Sequence, residues 1–184
     1  QHEARHARGE QRRDPDRDLA AERPADQPAL VRQVLGDAAR EAQALHDLGA
    51  VLRGVGRIDS ARVTIGRSLA LYTGLGDPAG RAEALRSLGA IYQGVGQPDS
   101  ALAYLARAVA EYRRTDDRAG EANALLDRAA TYGGVGRPDS AAAEYHAVLG
   151  LARAISNAWL EAAALNGLGV AFTRMERLDS ARAY

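Results

Sequence analysis

Along most of the chain, apolar residues recur at i, i+3, i+4 and i+7, the spacing of one helix face. One run is Ala84, Leu85, Leu88, Ile91 and Tyr92; a second is Ala101, Leu102, Leu105, Ala108, Val109 and Tyr112. Turn chemistry stands at their borders. Asp77 is placed to cap the first helix, and Pro78 sits in its first turn, where a missing N–H costs nothing. Gly94 and Gly96 are expected to end that helix by supplying positive φ, with Val95 tucked under the turn between them. Pro98 then opens the second helix, and Asp116-Asp117 lead onward. The spacing predicts two helices over 77–116.

This hairpin is copied. Gly54-Val55-Gly56-Arg57-Ile58-Asp59-Ser60-Ala61 returns as Gly94-Val95-Gly96-Gln97-Pro98-Asp99-Ser100-Ala101 and as Gly134-Val135-Gly136-Arg137-Pro138-Asp139-Ser140-Ala141. A weaker copy is Arg174-Met175-Glu176-Arg177-Leu178-Asp179-Ser180-Ala181, and the spacing is 40 residues each time. Other columns hold the same register: Leu45, Leu85, Leu125 and Leu165; Gly49, Gly89, Ala129 and Gly169; Leu52, Tyr92, Tyr132 and Phe172. A helix pair cannot bury its apolar face alone, so copies in register imply a stack. The expected units are 37–76, 77–116, 117–156 and a partial 157–184, within a solenoid over 31–184. Small residues at Gly89, Ala101 and Ala108 are expected where paired helices cross, because a close interaxial approach leaves no room there.

The pattern Leu85-x-x-Leu88-Gly89-x-x-Tyr92-x-x-x-Gly96-x-x-x-x-Ala101-x-x-x-Leu105-x-x-Ala108 resembles the tetratricopeptide repeat. The usual period of that family is about 34 residues; the longer unit here is similar to that of Pins-type adaptors, kinesin light chains and bacterial multi-repeat proteins. The resemblance covers about 37–184. It implies an all-α, right-handed superhelix whose first helices line the concave side. It also implies that Gln43, His46, Arg53, Glu83, Arg86, Gln93, Asn123, Leu126, Asn166 and Thr173 project there, over a floor of Ala50, Ala90, Ala130 and Val170. Amides at Gln93, Asn123 and Asn166 suit a peptide backbone, and Arg53 and Arg86 could fork onto a carboxylate. Arg128 departs from the pattern by replacing a leucine, so its helix should either rotate or turn the arginine outward. No polar capping helix closes the stack, so the natural chain is expected to continue past Tyr184.

Composition narrows the chemistry. Forty alanines and 21 leucines favour helices. The 24 basic residues are all arginine and match 24 acids, so the net charge is zero. That balance gives no general attraction to nucleic acid. There is no cysteine, hence no disulfide, thiolate metal site or cysteine nucleophile. Without lysine, the lysine-and-asparagine clamp that related repeats use for chaperone tails is missing, so chaperone binding is not expected. No apolar run approaches the ~18 residues of a membrane span. No signal peptide is evident, and a start at Gln1 suggests a processed chain or a piece of a longer one; the cytoplasm is the favoured compartment, with the periplasm left open. Residues 1–30 hold six arginines, seven acids, three prolines and two leucines, the composition of a disordered tail or linker.

Structural roles account for the remaining polar motifs. The repeated Gly-Val-Gly follows no predicted strand, so helix termination explains it better than phosphate binding. Asp59, Asp99, Asp139 and Asp179 stand at helix starts, where the dipole favours a carboxylate. His2 and His6 have metal-pair spacing but lie in the tail. His46 and His146 show no triad partners in the sequence. Trp159 is expected to pack on the preceding helix, with ligand stacking as the minor role. No cofactor, metal or enzymatic activity is expected. The expected partner is a protein or peptide, with no nucleic acid and no membrane insertion. A regulatory array joined to a caspase-like peptidase or a transcription regulator, and a structural subunit of a larger assembly, stay open as alternatives.

Overall fold

The computed structural model describes residues 27–175, with side-chain environments from 33 onward. The tail from 1 to 26 and the second helix expected near 178 lie outside the described residues. Seven helices are described: α1 Gln27–Gly54, α2 Ile58–Leu75, α3 Pro78–Gly94, α4 Pro98–Arg114, α5 Arg118–Gly134, α6 Pro138–Ala154 and α7 Ala158–Arg174. α1 thus starts inside the stretch expected to be tail. The chain divides into two compact units, 1–37 and 38–184; the second holds the helix pairs.

The start signals act as the sequence suggests. Asp77 accepts hydrogen bonds from the amides of Ala79 and Gly80, and Asp117 from that of Gly120. Asn157 does the same for Leu160. The glycine turn works differently from expectation. In each Gly-Val-Gly only the second glycine, Gly56, Gly96 or Gly136, has positive φ, between 71° and 79°. Gly94 belongs to its helix, and Val95 is exposed, as are Val55 and Val135. The turn is closed by backbone bonds instead, from the Gly96 amide to the Gln93 carbonyl and from the Gln97 amide to that of Tyr92. A valine cover is therefore unnecessary.

Within a pair, the small column sets the approach. A Cβ on Gly89 would lie 2.6 Å from Leu105 Cγ, so the first helix crosses directly over that leucine. Ala101, Leu105, Ala108, Val109 and Tyr112 are buried as expected; Leu102 is only partly so. Arg128 does not turn outward. Its Nη2 donates to both carboxylate oxygens of Glu144 at 2.7 Å, with the two side chains 18% and 16% exposed. The pair occupies the columns of Leu88 and Tyr104, so an ionic contact stands where an apolar one stood. Buried arginine demands such a partner.

Between pairs, one gap is filled from alternate sides. Tyr72 lies flat over Gly80 and Tyr112 over Gly120, so close that a Cβ on either glycine would enter the ring. In the next copy the volumes are exchanged: Leu160 is buried and the facing column holds Ala152. First helices also touch across units, α3 with α5 and α5 with α7, whereas among the described residues α4 and α6 make no such contact. The stack closes on the first-helix side and opens on the other. It is an all-α, right-handed solenoid of antiparallel hairpins.

Candidate partner-binding face

At helical spacing, the residues expected on the inner side form one stripe on each first helix. The stripes are Ala39, Gln43, His46, Ala50 and Arg53 on α1; Ala79, Glu83, Arg86, Ala90 and Gln93 on α3; Ala119, Asn123, Leu126 and Ala130 on α5; and Trp159, Ala163, Asn166, Val170 and Thr173 on α7. Their chemistry changes from one end to the other.

The α1–α3 end is wired. Tyr72 donates to Gln43 at 3.0 Å, and Gln43 donates to Asp47 at 2.9 Å. One repeat on, Tyr112 donates to Glu83 at 2.5 Å. Arg86 bridges Glu83 at 2.8 Å and Asp127 at 3.2 Å. Burial pulls the Glu83 carboxyl up, but the hydrogen bonds from Arg86 and Tyr112 outweigh it and hold it below the usual range. Asp127 lies the other way: burial raises its carboxyl, and Arg86 only partly offsets this. Burial and the bond to Glu83 push the Tyr112 phenol up. Burial opposes the charge of Arg86, and Glu83 outweighs that cost. The guanidinium expected to meet a partner carboxylate is thus already shared between two of the chain's own.

His46 meets Ser87 at 2.9 Å through Nε2, while its Nδ1 lies 3.8 Å from Asp47. Nothing in the sequence hints at this pair, because the two residues are 41 positions apart on neighbouring first helices. It resembles part of a triad, but the carboxylate is beyond hydrogen-bond reach. Ser87 sits in mid-helix, where backbone amides are spent on the helix ladder. The same offset of 41 joins Arg86 to Asp127 and Arg174 to the Gly133 carbonyl, so the contact belongs to the way units stack. A cavity of about 420 Å³ opens beside it, lined by Gln43, His46, Tyr72, Asp77 and Glu83 among others.

The α5–α7 end is unwired. The column of Tyr72 and Tyr112 holds Ala152 there, so Asn123 has no phenol above it and bonds back to the Ala119 carbonyl. Asn166 is exposed and Leu126 partly so. Trp159, expected to pack on the preceding helix, is instead 66% exposed, on the same stripe as Asn166 and Val170. Its column otherwise holds Ala79 and Ala119, which gives no sign that a ring belongs there. Thr173 bonds its own helix at Gly169, Arg53 is exposed, and Gln93 borders a cavity of about 300 Å³ with Pro98 and Ala130. Among the described residues, no group of three or more side chains is placed to hold a metal ion, and no helix is long and apolar enough to cross a membrane.

The tetratricopeptide repeat family model matches residues 80–154. No curated protein matches the sequence. Among solved structures, BtubC (BKLC) from P. vanneervenii is similar at 17% identity and a TM-score of 0.73, over 90% of this chain and 72% of that one. MamA is similar at 21% identity and a TM-score of 0.61, over 83% and 79%. A set of nearly identical repeats from a Podosopora anserina putative kinesin light chain gives 18%, 0.68, 78% and 70%. At such identities the likeness is one of fold. With the repeat register, the helix pairs and the match over residues 80–154 in agreement, the fold is that of a tetratricopeptide-repeat solenoid.

Proposed function

We propose that this protein is an interaction scaffold that binds a peptide or helix of a partner protein along its first-helix face, mainly at the α5–α7 end. Repeat folds of this kind generally mediate protein–protein contact. The observation that carries the reading is Trp159, exposed on one stripe with Asn166 and Val170. Exposed tryptophan flanked by amides is the composition of a binding hot spot. Glu83, Arg86 and Gln43 serve more to shape the other end than to bind, because their hydrogen bonds are already made inside the chain.

The test is selection of peptides from a displayed random library on the full chain. Enriched peptides should lose ~10-fold or more in affinity on Trp159→Ala. They should keep it on Arg62→Ala, an exposed second-helix position. Peptides that bind both variants alike would remove the assignment.

A further inference from the structure

The gap between α1 and α3 and the gap between α3 and α5 are built from the same columns with different side chains. In the second gap, Tyr112 donates to Glu83, and the Arg86 guanidinium spans Glu83 and Asp127. Forty residues earlier those positions hold Tyr72, Gln43, His46 and Ser87. The tyrosine bond is kept, from Tyr72 to Gln43 at 3.0 Å, and so is the bond across units, between His46 and Ser87 at 2.9 Å. The charges are not kept. A short imidazole meeting a hydroxyl stands where a long guanidinium meets two carboxylates. Beside that imidazole lies the cavity of about 420 Å³, within the size range of small-ligand sites.

The cavity is acidic. Asp77 and Glu83 line it, and its lining holds no arginine. Glu83 shares its charge with Arg86, so Asp77 contributes the larger part. Both cap bonds of Asp77, from the amides of Ala79 and Gly80, end on Oδ1, which leaves Oδ2 for another donor. The carboxylates also converge on the cavity wall: burial raises the Tyr72 phenol, and Asp77, Asp47 and Glu83 raise it further. Gln43 Oε1 accepts from Tyr72 and keeps a second lone pair.

We propose that this cavity binds the guanidinium of an arginine side chain from a partner protein, in the place that Arg86 takes one copy later. The acceptors stand on two helices, Gln43 on α1 and Asp77 at the start of α3. A planar fork of donors can reach both at once, as Arg86 reaches Glu83 and Asp127, whereas an ammonium is a point charge. The site lies at the opposite end of the inner face from Trp159 and does not depend on it.

The probe is N-acetyl-arginine amide, titrated into the isotope-labelled full chain and followed by amide NMR shifts. Saturable shifts are expected at Gln43, His46, Ala79 and Gly80. Asp77→Asn keeps a capping side chain but loses the charge, and should weaken binding ~10-fold or more. Asp139→Asn, at an exposed acid of another helix start, should leave binding as it is. His46→Arg with Ser87→Asp rebuilds the Arg86–Asp127 arrangement; the chain's own guanidinium should then fill the site and abolish the shifts. The citrulline analogue, similar in shape but uncharged, should not bind, and the lysine analogue should bind more weakly. Free arginine should also bind more weakly, because its carboxylate would face Asp77 and Glu83. The proposal is overturned by absent shifts at those amides, by equal binding of the citrulline or lysine analogue, or by undiminished binding in either variant of the site. Tighter binding of free arginine would mark a metabolite site, and the partner assignment falls. The readout uses no selected peptide, so its failure is distinct from failure of the α5–α7 assignment.

Discussion

The α4–α5 and α6–α7 junctions solve one packing problem in opposite ways. At the first, Tyr112 projects from the second helix over Gly120; at the second, Leu160 projects from the first helix toward the Ala152 column. Either choice fills the gap, so core volume alone does not distinguish them. The difference lies in the phenol. Tyr112 reaches past the gap to Glu83, which holds Arg86, which holds Asp127. Ala152 reaches nothing, and Asn123 and Asn166 stay clear of any such network. A substitution neutral for stacking therefore decides which end of the inner face is tied to the core and which is left for a partner.

Several changes should break or sharpen this contrast. The largest effect belongs to the leucine-filled junction. Leu160→Ala leaves alanine facing alanine and should cost about 2–5 kcal/mol in urea unfolding. A smaller effect is expected where an ion pair replaced an apolar contact. Arg128→Leu strands Glu144 and should cost about 2–3 kcal/mol, moderated because both ends keep some contact with water. Adding Glu144→Tyr, which rebuilds the Leu88–Tyr104 combination, should recover most of that loss; a double variant as weak as the single would show that the pair does not substitute for apolar packing.

The smallest effect is the wiring itself. Glu83→Gln should cost about 1 kcal/mol near neutrality. Because the Glu83 carboxyl is held low in the folded state, its stabilisation is present above the unfolded value and is lost as pH falls through the folded one. The melting-temperature gap between wild type and Glu83→Gln should therefore be open near neutrality and close in acid. A gap that widens in acid would contradict the assigned hydrogen bonds.

Much of the fold was legible because the repeat writes it several times. Asp77, Pro78, Pro98 and the Gly89 column each act locally, and local signals survive in sequence. Val95 misled because an apolar residue between glycines suggests a cover, while the backbone bonds of the turn make one redundant. The site was less legible. The stripes followed from spacing, but Arg86 looked free because its partners Glu83 and Asp127 are 3 and 41 residues away, and only stacking brings Asp127 near. Trp159 looked like core on size alone. Its column, shared with Ala79 and Ala119, was the available signal that it faces outward.

The central claim is that each inter-unit gap is filled once, from one side or the other. A double-mutant cycle on Tyr112→Ala and Gly120→Leu tests it most directly, with unfolding free energies from urea titration. Alone, Tyr112→Ala should cost about 3–5 kcal/mol and Gly120→Leu about 1–3 kcal/mol. Together they recreate the Ala152–Leu160 arrangement, and the double variant should be more stable than the sum of the two losses by about 2 kcal/mol or more. Strict additivity of the two losses would mean that tyrosine and leucine do not compete for one space.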